Sequence, residues 1–358
     1  MKKLLALLLA MAMVLALVAC GGSDNSAPAN SQPANSQTDD STPTEDKTPD
    51  EPTVEPITLR IAYMPNYASL WAVLSGINGG FFAEEGITVE LTEFGDGPSE
   101  IAAMEGGAID LAYIGKGAHR LCILGNATIF APSSVHTSDT LIVTAESGIE
   151  TVEDLRGKKI GYSAGSSSES TMNSALALAG LTHDDVELFN LEPGYIVPAM
   201  ISGTIDVAVT WSPYTFQILE SVEGTKEIEF ADGSTNMSSW ICLPDYAAEN
   251  RDTLVRFSRA LYKAMDWGSN PDNAEQVAGW VAAQCKIDEA SALLQWGDAE
   301  WFDIPTMKAA IADGTMKAYY EGVQNDMIAG GNIEASDARN VEEFVMLDVM
   351  EEALNQVG

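Results

Sequence analysis

One short pattern occurs twice in the chain, and it constrains the fold more than any other feature. Met104-Glu-Gly-Gly-Ala-Ile-Asp is answered by Met200-Ile-Ser-Gly-Thr-Ile-Asp, and each copy opens an apolar run. Each reads as a helix end, a glycine turn and a strand, Ile109–Ile114 in the first and Ile205–Trp211 in the second. Upstream of the first copy, strands are predicted at Ile57–Tyr63 and Thr88–Phe94, with helices over 69–79 and 98–105. Upstream of the second, strands are predicted at 141–144, 159–163 and 186–191, with helices over 152–155, 166–179 and 196–202. Strand and helix alternating at this spacing make βαβ units on a parallel sheet, and two such series imply two α/β lobes. After Trp240-Ile241-Cys242-Leu243 the pattern turns helical. Apolar residues at three- and four-residue spacing, such as Leu254, Phe257, Leu261 and Met265, predict helices over 251–267, 273–284, 287–296, 306–312, 314–328 and 342–355.

The beginning of the chain is a different material. Lys2 and Lys3 precede an almost purely apolar run, Leu4–Val18, followed by Ala19 and Cys20. About 15 apolar residues fall short of the roughly 20 that span a bilayer, whereas they suit a secretory signal peptide over 1–19. Leu17-Val18-Ala19-Cys20 resembles the bacterial lipobox, which implies cleavage before Cys20 and a lipid on its sulfur. The alternative is an ordinary signal with an incidental cysteine. Residues 20–56, built from Ser, Asn, Thr, Pro, Asp and Glu, are too poor in large apolar groups to form a core and read as a disordered tether.

Charge excludes some partners. With 18 Lys+Arg against 53 Asp+Glu the net charge is −35, which argues against nucleic acid or an anionic lipid surface as the target. Cys122, Cys242 and Cys285 are scattered, without the spacing of a metal site or a redox dithiol. His119, His136 and His183 show no pairing with a nucleophile. No metal, cofactor or catalytic set is expected.

Four stretches, in order, carry a family resemblance. They are Ile61-Ala-Tyr-Met-Pro-Asn66 with Gly80-Phe-Phe-Ala-Glu-Glu-Gly-Ile-Thr-Val-Glu-Leu91; Gly107-Ala-Ile-Asp-Leu-Ala-Tyr-Ile-Gly115; Val152-Glu-Asp-Leu-Arg-Gly-Lys-Lys-Ile-Gly161 followed by Gly165-Ser-Ser-Ser168; and Ile201-Ser-Gly-Thr-Ile-Asp-Val-Ala-Val209. The chain resembles the substrate-binding proteins of nitrate, sulfonate and taurine ABC importers and their relatives that bind pyrimidine precursors of thiamine. The resemblance implies a two-lobed periplasmic-binding fold of type 2. Lobe I would hold 57–140 and 240–358, and lobe II 141–239. It also implies an extracytoplasmic monomer on the outer face of the cell membrane that captures a small molecule for permease subunits.

Ligands of open α/β sheets lie beyond the carboxyl ends of strands. That rule nominates Tyr63, Met64, Asn66, Tyr67 and Trp71 after the first strand, Asp96, Gly97, Pro98 and Ser99 after the second, and Gly115 and Lys116 after the third. In lobe II it nominates Ser166, Ser167 and Ser168, then Trp211 and Tyr214, with Trp240 near the returning crossover. The serines at a helix start suit an anion through amides and hydroxyls, and the resemblance gives them a sulfonate. A plain helix cap is the alternative. The aromatics suit a larger organic body or a cation, or else lobe packing. Lys116 suits an anion or a solvated loop; Glu169 suits an amine or the helix N-terminus. The expected cargo is a sulfonate- or taurine-like anion, against a pyrimidine precursor or an amine. The rival classes are a pyrimidine-precursor-synthase-like enzyme and a ligand sensor without transport.

Overall fold

Two separate β-sheets, each flanked by helices, account for the repeated pattern. The structure is a computed structural model that describes residues 55–136, 139–230 and 236–357. The signal segment 1–19, Cys20 and the expected tether up to residue 54 lie outside the described residues.

The first series runs β1 (Ile57–Tyr63), α1 (Tyr67–Asn78), α2 (Phe81–Glu84), β2 (Ile87–Glu93), α3 (Gly97–Glu105), β3 (Leu111–Ile114), α4 (His119–Ile123) and β4 (Thr128–His136). The second runs β5 (Thr140–Val143), β6 (Lys159–Tyr162), α5 (Ser167–Leu178), β7 (Glu187–Asn190), α6 (Pro193–Ile201), β8 (Val207–Thr210), α7 (Tyr214–Ser221) and β9 (Lys226–Ile228). The chain then returns through β10 (Met237–Cys242) to α8 (Pro244–Glu249), α9 (Arg251–Gly268), α10 (Ala274–Cys285) and α11 (Glu289–Leu294). The three-residue β11 (Ala299–Trp301) interrupts the helices before α12 (Ile304–Ala312), α13 (Thr315–Ala329), α14 (Val341–Phe344) and α15 (Leu347–Gln356).

The first sheet is ordered β11-β4-β10-β3-β1-β2 and the second β7-β6-β8-β5-β9. Within the first, β1 pairs in parallel with both β2 and β3; in the second, β6 does the same with β7 and β8. Both sheets are covered on both faces, which is why β3 and β8 are buried at every position and read as unbroken apolar runs.

The repeated heptapeptide has a structural reason. At its end, the amide of Asp110 donates to the Arg60 carbonyl while its carboxylate accepts from the Arg60 amide, both at 2.8 Å. Asp206 makes the same reciprocal pair with Lys159, at 2.8 and 3.0 Å. Each aspartate thereby fixes the register of a new strand, β3 beside β1 in the first sheet and β8 beside β6 in the second. Gly107 and Gly203, at φ 72° and 68°, supply the left-handed turn that lets the helix end fold back into that strand.

The two sheets are joined twice, from β4 to β5 through Asp139 and from β9 to β10 through residues 229–236. The expected lobe boundary at 239/240 falls inside β10, all of which pairs in the first sheet. Ser238 and Ser239 are buried and bonded there. Ser238 meets Ser134 at 2.9 Å, and Ser239 meets His119 at 2.9 Å and Tyr320 at 3.1 Å.

Candidate functional site

The strand tips of the two sheets face each other across a small cleft. Its first-sheet side is lined by Met64, Asn66, Ala68, Gly97, Tyr113, Gly115, Ala118 and His136, with Gln295 and Asp298 from the segment before β11. Ser166, Ser167, Trp211 and Ser212 line it from the second sheet, and Asp139 and Asn236 from the two crossovers. About 50 Å³ remains for the centres of water-sized molecules, room for roughly four waters. The lobes are therefore nearly shut.

Of the residues expected there, Met64, Asn66, Gly97, Gly115, Ser166, Ser167 and Trp211 line the cleft. Asn66 also caps α1, its side chain accepting from the Ser69 amide at 2.8 Å. Gly115 faces Ser167 across the gap.

Several others lie elsewhere. Tyr63 bonds Gln284 at 2.7 Å and Glu93 at 3.3 Å, and is not among the lining residues. Tyr67 and Trp71 are fully buried, because α1 packs on β-sheet and on α9 and α10, leaving little of its surface for solvent. They stack with Trp301 at 5.3 and 5.0 Å and form a cluster behind the cleft wall. Trp240 is likewise core, edge-on to Tyr113 at 5.7 Å. Ser99 completes the capping box of Asp96 at the start of α3. Lys116, expected to offer a positive charge, is buried and paired with Asp326 of α13 at 3.2 Å, in a separate groove. Tyr214 backs Trp211 edge-on at 6.2 Å, outside the lining.

The serine run, expected to seat an anion, engages its donors one by one within the protein. The Ser163 amide donates to Ser168 Oγ at 2.8 Å, and the Ala164 amide to Asn190 at 3.0 Å. The Gly165 amide donates to Glu169 at 2.7 Å, the Ser168 amide to Ser166 Oγ at 3.2 Å, and the Ser166 hydroxyl to the Ser163 carbonyl at 2.7 Å. The Ser167 hydroxyl donates to Asp139 at 3.2 Å. Protein acceptors thus take each of these donors, and two of the acceptors are carboxylates; the Ser167 amide, first in α5 and belonging to a lining residue, has no acceptor among the described residues. Ser168 is fully buried and belongs to the turn, not to the cleft lining. Glu169 complements the helix N-terminus, as acids in a first turn do.

Residues that the strand-tip rule did not reach dominate the cleft's electrostatics. Asp139 accepts from Ser167 of lobe II and, at 3.1 Å, from Asn236 on the second crossover. Asp298 is held by a hydrogen bond from Ser212, and burial, with the neighbouring charges of Glu227 and Asp139, lifts its pKa to about 6. His136 bonds the hydroxyls of Tyr113, Ser134 and Ser238 at 3.1, 2.9 and 2.8 Å; burial lowers its pKa to about 4, so it is neutral at physiological pH. No lysine or arginine is among the lining residues of the described chain. Asp139 and Asn236 come from crossover segments, His136 from the end of β4 and Asp298 from the C-terminal region. None of them follows a parallel strand, so the rule had no means of finding them.

Closure depends on a glycine. A Cβ on Gly117 would fall on the carbonyl group of Ser166 in the opposite lobe, a backbone atom that cannot turn aside. Further contacts span the lobes: Ser163 to Asp96 at 3.3 Å, and Asn173 to Asn332 at 3.0 Å.

Two α/β lobes on two crossovers, closing their strand tips over a small cleft, define a solute-binding protein of the periplasmic type. Residues 69–274, more than half of the chain, match the family described as NMT1/THI5 like, and the chain belongs to that family. It is 29% identical over 285 residues to a Brucella abortus (strain 2308) protein named as a binding protein, covering 78% of this chain and 88% of that one. To the taurine-binding periplasmic protein of Escherichia coli (strain K12) it is 24% identical over 211 residues, 55% of this chain and 65% of that one. In structure it is similar to the nitrate-binding protein NrtA of Synechocystis PCC 6803 (TM-score 0.69, 12% identity, 84% and 89% covered). It is also similar to the desulfurization enzyme DSZB (TM-score 0.58, 15% identity, 84% and 99% covered), and these two likenesses speak to fold alone.

Two outcomes are expected from this geometry. Gly117→Ala should hold the lobes apart, giving a larger radius of gyration in X-ray scattering and at least about tenfold weaker ligand binding, or 1.4 kcal/mol. Asp298 has a native pKa of about 6 against an ordinary 3.8, so the folded state binds more protons than the unfolded across that interval. Its contribution to stability therefore falls as pH rises from about 4 to 6. Asp298→Asn should melt higher than the wild type at pH 7.5, with the gap closing towards pH 4; equal gaps at both pH values would contradict the assignment.

Proposed function

We propose that the chain is the extracytoplasmic solute-binding component of an ABC importer, a monomer tethered by a lipid on Cys20 that delivers a small organic molecule to permease subunits. The observation that carries this reading is the cleft itself, shared between two lobes and both crossovers and walled by Trp211. Sites between lobes bury a ligand by closure, and an aromatic face offers a flat body dispersion and stacking. Family membership supports the same class.

Capture is favoured over chemistry by the groups present. The lining of the described cleft contains no cysteine, and burial pushes the Cys122 and Cys242 thiols far from the thiolate range. The DSZB likeness keeps an enzymatic reading in view only at the level of fold.

On the cargo, the sulfonate- or taurine-like anion rests on the serine run and on the taurine-binding relative. The serine run spends its named donors inside the protein, and the cleft carries two aspartates without a lysine or arginine. The balance favours the amine or nitrogen-ring alternative over the anion.

The whole chain, purified from membranes, should show a thermal shift with a member of a panel of sulfonates, pyrimidines, carboxylates and amines. A ligand at one hundred times its Kd adds about 2.7 kcal/mol of stability, and Trp211→Ala should abolish most of that gain. A panel without a single shift, joined to unchanged solute uptake on gene deletion, would remove the importer reading. Cys20→Ser should lose labelling by radioactive palmitate and pass from the membrane fraction into the soluble one; retained labelling would refute the anchor.

A further inference from the structure

We propose that the turn from Trp211 to Tyr214 is a latch: carried by lobe II and seated in the core of lobe I, it keeps the lobes closed on protein contacts alone, and its release admits the guest. The latch rests on the solute-capture reading for its purpose, while its test uses no guest.

Trp211 and Tyr214 follow β8 in lobe II, yet their apolar partners belong to the other lobe. Trp211, only 6% exposed, packs into the core built on the first sheet, and Tyr214 lies against the same core. Every other residue of that core lies before residue 136 or after residue 236. The two cores of lobe II, around Ile160 and around Ile196, contain neither ring among the described residues. The rings brace each other edge-on at 6.2 Å. Burial pushes the pKa of the Tyr214 hydroxyl up to about 12, with Glu93 and Cys285 of lobe I as its neighbouring titratable groups.

Opening the lobes has to take these rings out of that core. A buried aromatic side chain withdraws roughly 150–250 Å² from water. Returning even one such ring to solvent changes an open-to-closed ratio by roughly tenfold or more. Other contacts across the gap act in the same direction. Ser163 donates to Asp96 at 3.3 Å, Asn173 donates to Asn332 at 3.0 Å, and Gly117 lies against the Ser166 backbone. Each joins protein to protein, so the closed form has a stability of its own. A guest then enters only while the turn is out of its seat. Its apparent affinity is lowered by the fraction of time spent open, and its association rate saturates at the opening rate.

The test takes the full chain, stripped of any guest by unfolding in guanidinium and refolding, and compares wild type, Tyr214→Ala and Gly117→Ala by X-ray scattering. Tyr214 is outside the cleft lining, so its truncation weakens the latch and spares the lining. The wild type is expected to have the smallest radius of gyration and both variants a larger one, with circular dichroism reporting all three folded. A Tyr214→Ala radius equal to that of the wild type, or a wild type as extended as Gly117→Ala, would overturn the latch. A second measurement leaves the turn unaltered. Cys285 is half-buried beside Tyr214, whereas Cys122 and Cys242 are buried. The Cys285 thiol should react with Ellman's reagent at least tenfold faster in Gly117→Ala than in the wild type, with Cys285→Ser supplying the background rate. Equal rates would mean that Tyr214 stays seated when the lobes part, and would also overturn the latch. Either failure leaves solute capture standing, to be decided by the ligand panel and the uptake measurement.

Discussion

A single carboxyl group, Asp139, ties together the parts of this protein that must move relative to one another. It sits on the first crossover, accepts from Asn236 on the second, and accepts from Ser167 at the head of α5 in lobe II. Around it, closure is set by sterics: Gly117 of the first lobe lies against the backbone of Ser166, an approach no side chain would allow. A hydrogen-bonded hub and a bare glycine together set how far the strand tips can converge.

The same convergence separates residues that look alike in sequence. Tyr67, Trp71 and Trp211 all follow strand ends, yet only Trp211 meets the cleft. The difference lies in what covers them. Lobe I carries the C-terminal helices as well as its own, and α9 and α10 pack over α1, so Tyr67 and Trp71 are drawn into a core with Trp301. Among the described residues lobe II has no such third layer, and β8 delivers Trp211 directly to the gap. Lys116 follows the same logic, since α13 brings Asp326 to it from the far side.

The fold was readable because its signals are local and repeated. The heptapeptide echo, the alternation of strand and helix, and the three/four spacing of the C-terminal helices each act over a few residues, and β1, β2, α5 and α9 fall within two residues of their expected ends. The site was readable where it obeys the same local rule, at Met64, Asn66, Gly97, Gly115, Ser166, Ser167 and Trp211. Asp139, Asn236, His136 and Asp298 reach the cleft through the crossovers, the end of β4 and a C-terminal return, placements fixed by tertiary closure. β11 escaped for a related reason: three residues within a helical context carry no period, and they form a strand only because β4 offers an edge. The hydroxyls of the serines in β10 find buried partners that are invisible along the chain.

The chemistry of Asp139 also determines how a ligand can act on closure. A ligand shifts a conformational equilibrium only by its differential affinity for the two states. If the guest had to displace Ser167 from Asp139, its binding would break a lobe-to-lobe contact and oppose the closed form. A guest that leaves the Ser167 hydroxyl on Asp139 keeps that lobe-to-lobe contact, and one that takes the hydroxyl for itself gives the contact up. Selectivity and closure are then linked through one side chain.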